Sequence, residues 1–106
     1  DLETGKIAGP ACDKEFHVYE CHPRSGTELP GYQIPMWDKV MDLCHAAAAK
    51  IPGMGYVGWD VAITEDGPLF IEANNLPGHD AFPQMPSQAP DHIGFKPQFE
   101  KYLGKL

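Results

Sequence analysis

Arginine is nearly absent from this chain of 106 residues, whose 8 basic and 15 acidic side chains give a formal net charge of −7. Arg24 is the one arginine of the sequence. Affinity for nucleic acid comes largely from clustered lysines and arginines, so this charge balance argues against a nucleic-acid-binding protein. The excess of acidic side chains raises a different question, namely whether some of the carboxylates are placed to hold a cation.

Other features that the sequence lacks concern its cellular compartment and its cofactor class. The 3 cysteines are an odd number, so they cannot all pair in disulfides within the chain. We find no charged and apolar leader and no apolar run near the roughly 18 residues of a membrane-spanning helix. The sequence also has no Walker-type phosphate loop and no dinucleotide-binding glycine fingerprint. We therefore expect a reduced, cytoplasmic protein without a membrane span.

The spacing of apolar residues predicts one long helix and one β-hairpin. Apolar side chains recur at steps of three and four residues over Pro35–Lys50, and proline is tolerated in the first turn of a helix. Two apolar runs, Tyr56–Ile63 and Pro68–Asn74, flank a turn that contains Asp-Gly, which is typical of a hairpin. We therefore predict an α+β fold in which an antiparallel sheet is covered by helices on the face that bears Trp59.

The rest of the chain is less regular. Glu15–Tyr19 is rich in aromatic and β-branched residues and predicts a short strand. The stretch from Asn75 to Pro97 contains five prolines without any periodicity, which predicts a long loop, and Gln98–Leu103 has the pattern of a short helix. The length suits a single domain over residues 1–106. Because the chain begins at Asp1 and not at methionine, we expect it to be part of a longer protein.

The register of the predicted hairpin determines which polar side chains share a face. With a three-residue loop at Glu65–Gly67, in which the glycine takes the left-handed position, Thr64 faces Pro68. Counting outwards from that loop places Asp60 directly opposite Glu72. We therefore expect these two carboxylates on the same face of the hairpin.

Two alternatives to this interpretation remain open at the level of sequence. A two-residue loop at Asp66–Gly67 would pair Asp60 with Ala73 and would separate the two carboxylates. The polar residues could also belong to a simple solvated face of an edge hairpin. The alternation of strand side chains puts Phe70 on the same face as the carboxylates, which argues against a face that is merely solvated.

The predicted pair of carboxylates suggests a metal site. Like charges directly opposite in a sheet are destabilising by roughly 0.2–1 kcal/mol, and a bound cation is the simplest way to offset that repulsion. Asn74 lies two residues beyond Glu72 and therefore shares its face. Together with Asp60 these residues form a set of hard oxygen ligands, which suits Mg²⁺ or Mn²⁺ bound with phosphates and does not suit Zn²⁺.

The order of these residues resembles a known motif. An aspartate on one strand, then Glu-x-Asn on the next strand and a Pro-Gly turn, is similar to the C-terminal metal-binding hairpin of the ATP-grasp superfamily. The wider sequence resembles the sugar-transfer-associated ATP-grasp subgroup, whose members are sometimes labelled hexapeptide-transferase-related. The residues that carry this resemblance are Asp1–Gly5, His22–Gly26, Gly31–Trp37, Tyr56–Asp60, Glu72–Asn74 and Pro77-Gly78.

The resemblance implies both an architecture and a chemistry. ATP-grasp enzymes hold ATP between two α+β lobes, so this chain would be the C-terminal lobe, and the N-terminal lobe is expected to precede Asp1. The family implies ATP-dependent activation of a carboxylate through an acyl phosphate, here with a carboxylate, amine or sugar-linked substrate of polysaccharide or cell-envelope metabolism. The chain by itself is expected to be inactive. Many relatives carry a basic residue at the position of Gly58, and this chain departs from them there.

Roles for individual residues follow partly from the resemblance and partly from the positions of the residues. Transferred by motif, Asp60, Glu72 and Asn74 would ligate Mg²⁺ or Mn²⁺ and so bind ATP, and Asn75 is close enough in the sequence to join the site that binds metal, ATP or substrate. His22 and Arg24 lie in a loop rich in turn residues and are candidates for contact with a phosphate or the substrate, because arginine binds such oxygens in a bidentate manner. A solvated loop arginine is the alternative interpretation.

Three further possibilities complete the sequence-based predictions. His79 and Asp80 follow the Pro-Gly turn, where backbone N–H groups can face an anion. A zinc site built from His17, Cys21 and His22 would lack a fourth ligand and has the spacing of no closed zinc site. As an alternative to the enzyme, the chain could be a non-catalytic binding or assembly module that forms homo-oligomers through an uncovered apolar face.

Overall fold

The computed structural model describes residues 1–75 together with Pro77, Pro97, Glu100, Lys101 and Gly104. Over this part of the chain the fold is small and α+β, with one α-helix and two antiparallel two-stranded sheets. The described residues up to 33 belong to one compact unit, and residues 34–77 form another. The elements are β1 (Ala11–Cys12), β2 (Val18–Tyr19), α1 (Trp37–Ala48), β3 (Gly58–Thr64) and β4 (Gly67–Asn74).

The predicted α+β class is confirmed, but the described strands form two separate sheets and not one. In the first unit, β1 pairs with β2 so that Ala11 faces Tyr19 and Cys12 faces Val18. The strand predicted over Glu15–Tyr19 is too long, because only its last two residues are extended. The prediction of a single domain over residues 1–106 stays a prediction.

Helix α1 confirms the predicted helix with shorter bounds. Met36 precedes it in the left-handed conformation, with φ of 53°, so helical geometry begins at Trp37 and Pro35 lies outside. The acidic Asp38 lies in the first turn, at the positive end of the helix dipole, and His45 lies in the last turn. The C-terminal end comes at Ala48, two residues before the predicted one.

The hairpin of β3 and β4 has a different loop from the predicted one. Thr64 pairs with Gly67, so the loop has two residues, and the Thr64 hydroxyl donates a hydrogen bond of 2.8 Å to the Gly67 carbonyl oxygen. The predicted pairing of Thr64 with Pro68 is therefore wrong. A β-bulge at Ile71 then shifts the register by one residue, and beyond it Asp60 pairs with Glu72.

Apolar side chains of α1 and β3 face each other in the second unit. Trp59 also lies close to Phe70 of β4, with ring centroids 4.7 Å apart and ring planes inclined by 30°. This arrangement confirms that the helix covers the face of the hairpin that bears Trp59. The two elements line a common cavity of about 480 Å³, whose walls are formed by Ile34, Trp37, Val40, Met41, Cys44, Trp59, Val61 and Ile63.

Two further features concern the three cysteines and the lengths of the described helices. Cys12, Cys21 and Cys44 are all free of disulfide bonds, and burial raises the pKa of the Cys44 thiol, as expected for a cysteine on the apolar side of α1. Within the described ranges, no helix has both the length and the apolarity needed to cross a bilayer.

Several predictions fall wholly or partly outside the described residues. They include His79, Asp80 and the greater part of the long loop predicted between Asn75 and Pro97. Of the short helix predicted over Gln98–Leu103, the structure describes Glu100 and Lys101, and both are helical.

Candidate functional site

Asp60 of β3 and Glu72 of β4 lie directly opposite each other, near the end of the hairpin that is farther from its loop. Their Cα atoms are partners in the antiparallel ladder, and both side chains are exposed. The pairing predicted from the sequence is therefore confirmed, although the predicted loop is wrong. The shorter loop alone would have moved Glu72 out of register by one residue, and the extra residue at Ile71 restores the alignment.

The described residues provide no cationic partner for this pair of carboxylates. The hydrogen bonds and ion pairs found among the described residues involve neither carboxylate. Like charges directly opposite in a sheet are destabilising, and a protein usually compensates them with a basic side chain or a bound ion. Gly58, two residues before Asp60 on the same face of β3, supplies no basic side chain to this pair.

Two asparagines extend the set of oxygen ligands. Asn74 is the ladder partner of Gly58, two positions from the carboxylate pair, so its half-buried side chain is on the carboxylate face. Asn75 follows directly and is exposed. Two carboxylates and a neutral amide on one face are the hard oxygen donors that Mg²⁺ and Mn²⁺ prefer. The donor set therefore fits the metal implied by the sequence motif.

Phe70 does not share this face, contrary to the prediction. Because the bulge at Ile71 shifts the alternation of side chains along β4, Phe70 pairs with Val61 and packs against Trp59 on the opposite side. The apolar neighbour on the carboxylate face is Leu69, whose partner is Ala62. Leu69 is 44% exposed and the bulged Ile71 is 67% exposed, so this edge of the site is partly apolar.

His22 and Arg24 belong to the first unit and form part of a tight loop. The His22 Nδ1 accepts hydrogen bonds from the backbone N–H groups of Arg24 (3.3 Å) and Ser25 (3.2 Å). The imidazole therefore shapes the loop, and its Nε2 is the ring atom left to contact a ligand. The loop borders a pocket of about 230 Å³ lined by Ile7, His22, Ser25, Thr27, Leu29 and Tyr32.

A cluster that the sequence-based reasoning missed lies between β1 and β2. Asp13, Glu15 and His17 place one potential metal-ligating atom each within 4.8 Å of the others. The alternating spacing Asp-x-Glu-x-His was the signal available in the sequence. The zinc set considered from the sequence shares only His17 with this cluster, and Cys21 instead lies at an isolated bridge with Glu28.

Hydrogen bonds show what the Asp13 carboxylate does in this cluster. One of its oxygens accepts the backbone N–H groups of Glu15 and His17, each at 2.9 Å. The other accepts the Tyr19 hydroxyl at 2.8 Å and lies 2.9 Å from the His17 Nδ1. A carboxylate offers about four acceptor positions, and the protein uses all of them. The cluster therefore holds the β1–β2 turn in shape, in which Phe16 has a φ of 66°.

These hydrogen bonds determine the protonation of Asp13. Desolvation alone would raise the pKa of Asp13, but the hydrogen bonds from His17, Tyr19 and Glu15 outweigh it and lower the pKa from an ordinary 3.8 to about 2. The hydrogen bond to Asp13 in turn raises the pKa of Tyr19. Because the folded pKa of Asp13 lies below the unfolded one, its contribution to stability is present above pH 3.8 and is lost as the pH falls towards 2.

We predict that a ¹³C NMR titration of the Asp13 carboxyl gives a midpoint near pH 2. Tyr19→Phe removes one of the donors and should move that midpoint upward, whereas Tyr56→Phe, in the other unit, should leave it unchanged. A midpoint near 3.8 in the folded protein, or no response to Tyr19→Phe, would contradict the hydrogen-bonded arrangement.

Comparison with known protein families gives one match that covers most of the chain. The model of the sugar-transfer associated ATP-grasp family matches residues 1–91. Comparisons with curated proteins and with solved structures gave no match. The matched range includes the carboxylate pair, both asparagines and the loop of His22 and Arg24. The chain therefore belongs to the sugar-transfer associated ATP-grasp family.

Proposed function

We propose that this chain carries the metal- and ATP-binding face of the C-terminal lobe of an ATP-grasp ligase-like enzyme. Asp60, Glu72 and Asn74 would hold Mg²⁺ or Mn²⁺, and Asn75 would join them in binding ATP. The observation that carries this proposal is the Asp60–Glu72 pair, two exposed carboxylates that face each other in the ladder without a cationic partner among the described residues. Family membership supports it, since ATP-grasp proteins typically use ATP and a divalent metal.

The electrostatics of the site explain why nucleotide and metal should bind together. Two carboxylates repel a triphosphate. This face therefore attracts ATP only when divalent cations neutralise the negative charges of both the carboxylates and the phosphates. A bound Mg²⁺ would supply positive charge against the β- and γ-phosphates. The carboxylates fix the position of the cation, and the neutral Asn74 amide adds an oxygen ligand without adding charge that would compete with the phosphates.

The proposed reaction has two chemical steps, and Arg24 and His22 are proposed to contact the reacting molecules. In the whole enzyme, a substrate carboxylate would attack the γ-phosphate of ATP with release of ADP, and a nucleophile would then displace phosphate from the acyl phosphate. Arg24 and His22 Nε2 are proposed to contact a phosphate or the substrate. The family name supports a sugar-linked substrate, and polysaccharide or cell-envelope metabolism in the cytoplasm is the proposed setting.

Titration of Mn²⁺ and ATP into the full chain, followed by the electron paramagnetic resonance signal of free Mn²⁺, tests this proposal. We expect weak binding by the wild type and roughly a tenfold or greater loss of affinity in Glu72→Ala, because one of two carboxylate ligands is removed. The matched control is Glu65→Ala, which removes an exposed carboxylate from the loop of the same hairpin. This control should bind Mn²⁺ as the wild type does.

Equal binding by the wild type and Glu72→Ala would overturn the assignment of the site. The exposed Leu69 and Ile71 on the hairpin favour the alternative of an assembly module that self-associates through apolar surface. Absence of Mn²⁺ binding by the wild type, combined with concentration-dependent sedimentation, would support that alternative over the enzyme lobe.

A further inference from the structure

Gly58 and Pro77 approach each other more closely than a side chain at position 58 would allow. A Cβ atom added to Gly58 would lie 2.6 Å from the Cβ of Pro77 and 3.3 Å from its Cγ. Real Cβ atoms essentially never come as close as the first of these distances. Gly58 does not have a positive φ, so its backbone conformation is open to any residue. The glycine is therefore required for space and not for conformation.

The proline ring lies on the same face of the hairpin as the carboxylate pair. In β3 the side-chain direction at position 58 is shared with Asp60, two residues further on. Pro77 occupies that direction, so it covers the carboxylate face at Gly58. Pro77, three residues after the end of β4, therefore lies over the sheet next to Gly58. The ladder partner of Gly58, Asn74, is one of the two proposed amide ligands.

The contact between Pro77 and Gly58 links the residues of the site that the ladder holds to those at and beyond the end of β4. Asp60 and Glu72 are fixed by the ladder, because each belongs to a strand with a defined partner. Asn74 is the last residue of β4, and Asn75 lies beyond the ladder. A residue beyond a strand end has no ladder hydrogen bonds to hold it, so its position depends on how the following chain is anchored. Pro77 on Gly58 is such an anchor, three residues after Asn74.

We propose that Gly58 and Pro77 are positioning residues that hold the Asn74 and Asn75 amides beside the Asp60–Glu72 pair. This inference rests on the proposed function, because it concerns the ligands of the same site. Neither residue contacts metal or nucleotide in this role. The absence of a side chain at position 58 admits the proline ring, and the ring restrains the chain that carries the amides.

The test adds a methyl group at position 58, removes the proline ring at position 77, and combines both changes. Gly58→Ala introduces the close contact and should displace Pro77, with about a tenfold loss of Mn²⁺ affinity, as is typical when groups that orient metal ligands are removed. Pro77→Gly removes the ring and should also weaken binding. In the double variant the two ring atoms that cause the close contact are absent, and the Cα of residue 77 lies at an ordinary 3.7 Å from the Cβ introduced at position 58. The loss of affinity in the double variant should therefore be smaller than the product of the two single losses.

Backbone amide shifts of Asn74 and Asn75, measured by ¹⁵N NMR without metal, provide a second readout. They should move in Gly58→Ala and in Pro77→Gly, and in the double variant they should match those of Pro77→Gly, because the added Cβ no longer has a ring to displace. The Trp59 indole signal reports that the hairpin stays folded. Ala73→Ser is the control, since it adds one heavy atom to β4 at the exposed partner of Trp59. It should change neither the Mn²⁺ affinity nor the shift of Asn75.

The outcomes separate this inference from the proposed function. Unchanged Mn²⁺ affinity and unchanged Asn74 and Asn75 shifts in Gly58→Ala would overturn the positioning role, while loss of binding in Glu72→Ala would still support the site. If the wild type binds no Mn²⁺, the proposed function fails, and the NMR shifts alone decide whether the contact holds the two amides. Strictly multiplicative losses in the double variant would also count against the positioning role.

Discussion

Trp59→Ala should lower the free energy of unfolding by about 3 kcal/mol. Removing a packed tryptophan side chain typically costs about 3–5 kcal/mol, and Trp59 is only half-buried, which places it at the lower end. The indole lines the cavity shared with α1 and lies against Phe70 at 4.7 Å. Small domains have about 5–15 kcal/mol of stability in total, so this substitution removes a large part of it.

Urea denaturation followed by circular dichroism measures this loss. Phe16→Ala is the comparison, because Phe16 is an aromatic residue of the other unit and is 56% exposed. Its truncation should change the free energy of unfolding by about 0.5 kcal/mol or less. A similar small effect for Trp59→Ala would mean that the hairpin and α1 do not depend on this aromatic contact.

The parts of the fold that depend on local periodicity could be predicted from the sequence. The apolar face of α1 and the strands of the hairpin follow from residue spacing, and the structure places Trp37, Val40 and Met41 with Trp59 around one cavity, as that spacing indicated. The class of the fold follows from the same patterns. Bounds of elements were less accurate, since the left-handed Met36 that delays α1 has no signal in the apolar pattern.

The β-bulge at Ile71 could not be predicted from the sequence. A bulge inserts one residue into one strand, and it changes the face of the residues beyond it. The predicted loop was one residue too long, and the unrecognised bulge at Ile71 compensated for that error in the pairing of Asp60 with Glu72. The same bulge made the prediction for Phe70 wrong, because Phe70 lies between the loop and the bulge.

Contacts that depend on the detailed positions of side chains also could not be predicted from sequence patterns. The four hydrogen bonds to Asp13 depend on the turn that they stabilise, and alternation alone predicted a strand over that segment. The contact of Pro77 with Gly58 requires the position of the chain after β4. In the sequence, Gly58 was notable only because the ATP-grasp resemblance led us to expect a basic residue there.

The double variant Asp60→Asn, Glu72→Gln should change stability in opposite directions depending on metal. Without metal, removal of two facing like charges should raise the free energy of unfolding by up to about 1 kcal/mol. With free Mn²⁺ at roughly 100 times its dissociation constant, the wild type should gain about 2.7 kcal/mol, and the variant should gain nothing. The wild type should therefore be the less stable protein in chelator and the more stable one in saturating Mn²⁺.

Thermal and urea unfolding in chelator and in Mn²⁺ measure both differences on the same samples. The matched control is Glu65→Gln, Asp66→Asn, which neutralises two exposed acidic side chains in the loop of the same hairpin. Those residues are adjacent in the loop and do not face each other across the ladder, so the control should keep the full response to Mn²⁺. If the Asp60, Glu72 variant were less stable than the wild type in chelator, the facing carboxylates would contribute favourable interactions of their own. The need for a cation at this pair, on which the proposed site depends, would then be absent.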